Sequence, residues 1–164
     1  MAVPLDQLLS RMNAFLHERT QGEKYATLVY FTVSESGVLE WANAAQCRPL
    51  LLQADGKISS LETTGMPLGL LAEAEFEVRR LQLQPGDKLV AYTDGLSDAE
   101  NNQGEQFGPR IRAILTAHRH EPAPRILDTL VEAVATFTEE SSLSDDVTIL
   151  VVEYAGSAGS NSVA

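Results

Sequence analysis

The chain has 164 residues and a mass of 17.8 kDa, the size of one domain. With 44% hydrophobic and 21% charged residues it has ordinary globular composition, which excludes a disordered chain, a collagen-like chain and a disulfide miniprotein. Twelve basic against twenty-three acidic side chains leave a formal charge of −11, so phosphate backbones and anionic lipid are repelled, and nucleic acid and membrane are poor partners. Cys47 is the only cysteine, which rules out an internal disulfide or a cysteine-based zinc site and fits a reducing compartment. No apolar run approaches the roughly 18 residues of a membrane helix. The first helical stretch carries Asp6, Arg11 and Glu18 among its leucines, unlike a signal peptide, so a cytoplasmic location is expected.

Leu5, Leu8, Leu9, Met12, Phe15 and Leu16 recur at the spacing of one apolar helical stripe, and predict a helix over 4–18 with Pro4 at its first position. From Tyr25 the pattern turns to strands. Tyr25 to Val33 is β-branched and aromatic, and Ser34 to Gly37 turns the chain into Val38 to Asn43. Arg48 to Gln53 and Lys57 to Leu61 flank Ala54-Asp55-Gly56 as a hairpin. Gly65-Met66-Pro67-Leu68-Gly69 reads as a loop, and Glu75 to Leu83 as a strand whose shift of phase predicts a bulge near Arg79-Arg80. Pro85-Gly86 leads into a short, half-buried strand from Lys88 to Thr93, followed by an exposed loop or flap from Ser97 to Gly108.

Ile111, Ile114 and Leu115 mark a short helix. Ile126, Leu127, Leu130, Val131, Val134 and Phe137 mark a longer one from Ala123 to Thr138. A polar loop from Glu139 to Asp146 precedes a buried strand from Val147 to Tyr154, and residues 156–164 read as a disordered tail. Trp41 and the tyrosines are assigned to sheet and core. Strands grouped together rather than alternating with helices predict an α+β fold with a largely antiparallel sheet.

Two places put aspartate at a strand boundary: Asp94-Gly95 after Ala91-Tyr92-Thr93, and Asp145-Asp146 before Val147 to Val152. Carboxylates at the ends of neighbouring strands converge at one sheet edge and suit hard cations such as Mg²⁺ or Mn²⁺, while Gly95 leaves room for close approach. Asp-Gly is equally a common turn, and Asp-Asp before a strand is often a solvated loop end. His17, His118 and His120 read as solvated residues in or near helix ends. Cys47 reads as a small half-buried residue rather than a nucleophile.

Taken together, Leu89 to Ala99 (Leu-Val-Ala-Tyr-Thr-Asp-Gly-Leu-Ser-Asp-Ala), Phe107-Gly108 and Ser144-Asp145-Asp146-Val147-Thr148-Ile149-Leu150 resemble the metal-dependent PPM protein phosphatases. The resemblance is to the bacterial branch typified by stage II sporulation protein E and the phosphatases that regulate sigma factors. Upstream strings agree in order: Tyr25-Ala26-Thr27-Leu28, Ala42-Asn43-Ala44 leading to Pro49-Leu50-Leu51, Gly65 to Gly69, and Pro85-Gly86-Asp87. The resemblance implies a β-sandwich flanked by helices over residues 1–155, with a site for two Mn²⁺ or Mg²⁺ ions that activates water against phosphoserine or phosphothreonine. By matching positions it makes Asp94 and Asp145 metal ligands, and gives Gly95 and Asp146 supporting roles. The implied partner is a phosphorylated regulatory protein, such as an anti-sigma-factor antagonist.

The chain departs from that pattern twice. Asn43-Ala44-Ala45-Gln46 stands where the family has Asn-Ala-Gly-His, which argues against a turn with positive φ at residue 45. The earlier motif whose aspartate bridges both metals has no counterpart, since Asp6 is the only acid in the first 17 residues. The chain is therefore expected to be the C-terminal three quarters of the domain, with little or no turnover by itself and a tendency to form a homodimer through exposed sheet edges or apolar surface. The competing reading is a catalytically inactive fragment or pseudophosphatase that serves as an interaction module. A plain structural α+β domain is a third.

Overall fold

The computed structural model describes residues 3–139 and 145–156. Seven strands and four helices follow in the order α1 (Leu5–Thr20), β1 (Leu28–Val33), β2 (Val38–Ala44), β3 (Leu50–Leu52), β4 (Ile58–Ser60), β5 (Arg79–Gln82), β6 (Lys88–Tyr92), α2 (Asp94–Ser97), α3 (Gly108–Ala117), α4 (Ala123–Thr138) and β7 (Ile149–Glu153). Every named strand pair is antiparallel, and the sheets are flanked by helices, as the grouping of strands in the sequence predicts. The chain divides into two compact units, Met1–Arg48 with Leu61–Leu83, and Pro49–Ser60 with Gln84–Ala164.

In the first unit β2 is central in the order β1-β2-β5. Helix α1 buries Leu9 and packs Leu5 and Leu16 against a cluster of Ala42, Ala44, Leu68 and Phe76. Full burial of a leucine such as Leu9 contributes roughly 1.5–3 kcal/mol. Pro4 is the N-cap rather than the first helical residue. Asn13, one turn beyond Leu9, is buried but satisfied: its Oδ1 accepts the Gly69 N–H at 2.8 Å, and its Nδ2 donates to the carbonyls of Leu71 (2.9 Å) and Ala72 (3.2 Å). His17 Nδ1 donates to Gly69 O at 2.9 Å, so this histidine is a tether and not a solvated side chain. Gly69 fits here because its φ is +84° and a Cβ would sit 2.7 Å from Leu16 Cγ.

The strand expected over 75–83 is confined to Arg79–Gln82. Before it, Phe76 turns into the apolar cluster and Glu77 N–H bonds singly to Thr64 O, so the phase shift marks the start of a strand and not a bulge. Residue 45 does adopt positive φ, +59°, although it is alanine. Buried Asn43 holds that turn: its Oδ1 accepts the Gln46 N–H at 2.8 Å and its Nδ2 donates to Gln46 O at 3.0 Å. Trp41 is buried as expected, whereas Tyr25 and Tyr30 are 63% and 38% exposed.

In the second unit the sheet order is β4-β3-β6-β7. Strand β6 is buried at Lys88, Leu89, Val90 and Ala91, more fully than the half-buried strand the sequence predicts. The core joins Leu50, Leu52 and Val90 to Phe107, Ile111, Leu115, Ile126, Leu130 and Val134. In α4 the buried residues Ile126, Leu130, Val134 and Thr138 form a four-residue stripe, which leaves Val131 49% exposed. Buried Asp87 stitches the turn before β6 to the β3–β4 hairpin, its Oδ2 accepting the Gln84 N–H (2.8 Å) and its Oδ1 the Ala54 N–H (2.9 Å). Strand β7 is shorter and less buried than the predicted Val147–Tyr154. Residues 140–144 of the polar loop and 157–164 of the expected tail lie outside the described residues.

Candidate metal centre

The ladder between β6 and β7 ends at the pair Tyr92–Ile149. One residue further, Thr93 N–H donates to Thr148 O at 3.1 Å. The chain then leaves the sheet into α2, a single turn whose first residue is Asp94. On the opposing segment, Asp145 and Asp146 lie just before β7, with Val147 and Thr148 between them and the strand.

The two aspartate-bearing segments are joined through the Thr93 hydroxyl. Thr93 Oγ1 donates to Asp146 O at 3.1 Å and accepts the Thr148 N–H at 3.0 Å. A Cβ on Gly95 would lie 2.9 Å from the Asp146 carbonyl carbon and 3.2 Å from Asp145 O, with Asp146 O nearer still. Thus the residues on either side of Asp94 both rest on the Asp146 carbonyl. Asp94, Asp145 and Asp146 are all exposed. Asp94 Oδ1 accepts the Gly95 N–H at 3.1 Å, and Asp145 Oδ1 accepts the Asp146 N–H at 2.7 Å, so these oxygens are oriented by the backbone of the following residue.

The donor set fits a hard divalent cation in kind, since carboxylates are carried on two chain segments whose backbones adjoin at one end of β6 and β7. In number it fits one ion better than two. Among the described residues, no group of three or more His, Cys, Asp or Glu is placed to hold a metal together. His118 follows α3 and His120 lies in the turn before α4, and Cys47 is half-buried in the other unit.

The loop after α2 is more ordered than the exposed flap the composition predicts. Ala99 and Phe107 are buried, and a bridge joins Glu100 to Gln106. Asn101 Oδ1 accepts the N–H groups of Gln103 (3.0 Å) and Glu105 (2.9 Å). Arg110 Nη2 donates to Glu105 Oε2 at 2.9 Å, while its guanidinium carbon lies 4.2 Å from the centre of the Phe137 ring. The hydrogen bond from Arg110, then that from Asn101, then the charge of Arg110 hold the Glu105 carboxyl below its ordinary range.

The model of the stage II sporulation protein E (SpoIIE) family matches residues 2–155. The chain belongs to the SpoIIE family. Among its relatives, Protein IcfG of Synechocystis is 31% identical over 130 residues, covering 78% of this chain and 20% of the relative. Phosphoserine phosphatase RsbU of Bacillus subtilis is 20% identical over 148 residues, covering 89% of this chain and 44% of the relative. The crystal structure of the RsbU and RsbW domains of Rv1364c from Mycobacterium tuberculosis matches with a TM-score of 0.73 and 26% identity, over 93% of this chain and 42% of that one. This SpoIIE-family chain therefore spans less than half the length of these relatives. Its antiparallel sheets and flanking helices are those of the PPM phosphatase-like architecture.

Sequence reasoning singled out Asp94, Gly95, Asp145 and Asp146, and in the fold the backbone of Gly95 lies against that of Asp145 and Asp146. It did not single out Thr93. No local pattern marks it, because a threonine directly before an Asp-Gly reads in sequence like any other.

Proposed function

We propose that residues 1–155 are the C-terminal three quarters of a metal-dependent protein serine/threonine phosphatase domain. The observation that carries this reading is the seating of both flanks of Asp94 on the Asp146 carbonyl, which sets Asp94 and Asp145 on adjoining segments of one sheet end. Asp94 and Asp145 would hold the Mn²⁺ or Mg²⁺ ion, with Gly95 and Asp146 as supports. The chemistry supplied by such ions is activation of water and screening of the phosphate's charge. The chain's own contribution is to present carboxylates that the following N–H groups already orient, at an exposed site that a phosphorylated side chain can reach. The substrate class is phosphoserine or phosphothreonine on a regulatory protein. An anti-sigma-factor antagonist fits, as does a cytoplasmic setting: no helix among the described residues is long and apolar enough to cross a membrane.

A two-ion centre needs carboxylates beyond Asp94 and Asp145. The shortage of a third acid among the described residues favours a second reading, in which the chain is an interaction module that keeps the fold without turnover. Calorimetric titration with Mn²⁺ and hydrolysis of a phosphoserine peptide, each with Asp94→Asn and Asp145→Asn as controls, separate the two. Mn²⁺-dependent turnover lost in both variants supports a phosphatase in this chain. Binding of one ion without turnover assigns catalysis to a longer protein, and no binding favours the module.

A further inference from the structure

We infer that Thr93, through its side-chain hydroxyl, is the positioning residue that fixes the Asp94 segment to the Asp145–Asp146 segment. This rests on the reading of those aspartates as the metal-holding pair. The antiparallel register continues past Tyr92–Ile149 to place Thr93 opposite Thr148. In such a hydrogen-bonded pair each residue donates its N–H to the other's carbonyl. Thr93 supplies only half of this exchange from its backbone: its N–H reaches Thr148 O at 3.1 Å. Its carbonyl accepts the Leu96 N–H at 3.0 Å, because the chain is already turning into α2. The Thr148 N–H is instead taken by Thr93 Oγ1 at 3.0 Å, and the same hydroxyl spends its proton on Asp146 O at 3.1 Å. A hydroxyl is the group that accepts and donates at once, so it extends the ladder by one residue after the backbone has left it.

The consequence is local and directed at the site. Asp94 follows the hydroxyl-bearing residue, and Asp146 is the acceptor of that hydroxyl, so loss of one oxygen atom removes both side-chain bonds between the segments and leaves only the Thr93 N–H bond to Thr148 O, while the buried core at Val90, Leu96 and Ile111 is not touched. Groups that orient metal ligands typically change metal affinity by about 10- to 100-fold when removed.

The test compares Thr93→Val, which keeps the branched shape without the hydroxyl, with Thr93→Ser, which keeps the hydroxyl. Mn²⁺ affinity is read by calorimetry, amide exchange at Thr148 by NMR, and global stability by urea denaturation. The expected result is that valine weakens Mn²⁺ binding by about tenfold and speeds Thr148 exchange by about tenfold, with serine restoring both. Unchanged Thr148 exchange in the valine variant overturns the inference. Faster exchange with unaltered Mn²⁺ affinity also overturns it, leaving Thr93 a structural residue only. If the unmodified chain takes up no Mn²⁺, the metal reading fails by itself. Thr93 is then judged on exchange alone, where acceleration in valine and rescue in serine uphold its hold on the two segments.

Discussion

Gly95 lies against the peptide carbonyl of Asp146 so closely that a methyl group on its Cα would stand 2.9 Å from that carbonyl carbon. Its φ is not in the left-handed region, so what residue 95 requires is space and not conformational freedom. The obstacle is backbone, which cannot swing aside as a side chain would.

Gly95→Ala is accordingly expected to destabilise the chain by about 1–3 kcal/mol, the usual cost of forcing a group into a filled space. Because the displaced backbone is that of Asp145 and Asp146, Mn²⁺ binding should fall with it. Urea denaturation and calorimetry on the same preparation check both. Unaltered stability and binding would show that the segments separate without cost.

Ala45 carries a φ of +59° in a turn held by Asn43. The left-handed region costs an L-residue about 1–2 kcal/mol, against roughly 0.5–1 kcal/mol of extra entropy lost by glycine. Ala45→Gly should therefore stabilise the chain, by up to about 1 kcal/mol. The check is a higher urea midpoint with an unchanged slope. A lower midpoint would mean that the turn tolerates alanine without strain.

Buried Asp87 accepts two backbone N–H groups, from Gln84 and Ala54. Asp87→Ala leaves both donors without that acceptor and should destabilise by about 2–4 kcal/mol, while Asp87→Asn, which retains one carbonyl oxygen, should cost less. Thermal unfolding of the two variants gives the order directly.

Glu105 is held below its ordinary pKa by hydrogen bonds from Arg110 and Asn101 and by the Arg110 charge. A carboxyl whose folded pKa is depressed contributes stability that is fully present above its unfolded pKa and lost as pH falls through the folded one. Order in the loop from Asn101 to Gln106 should thus persist at neutral pH and loosen on acidification below the usual carboxylate range. NMR titration of the Glu105 side chain should give a midpoint that rises in Arg110→Ala. An identical midpoint in that variant would remove Arg110 as the cause.

The elements with a strong period were legible in the sequence. The α4 stripe at Ile126, Leu130 and Val134 predicts its helix over the observed Ala123–Thr138. The hairpin of β3 and β4 follows from its central Ala-Asp-Gly. Where periodicity gave no support the reading drifted. Tyr25 and Tyr30 look like core residues by type but are exposed, and Glu75 to Val78 look like strand but are not. Alanine at residue 45 disfavours a turn with positive φ, yet the buried hydrogen bonds of Asn43 impose it.

The antiparallel character of the sheets and the family were legible in the sequence, because alternation, turn chemistry and motif strings are written in adjacent residues. That the segments bearing Asp94 and Asp145 lie side by side is visible in the tertiary structure alone. Their segments lie some fifty residues apart in the chain, and their approach depends on the β6–β7 register, on the hydroxyl of Thr93 and on the missing side chain of Gly95. Contacts of that kind carry no local pattern: a hydroxyl one residue past the end of a ladder reads in sequence like any other threonine.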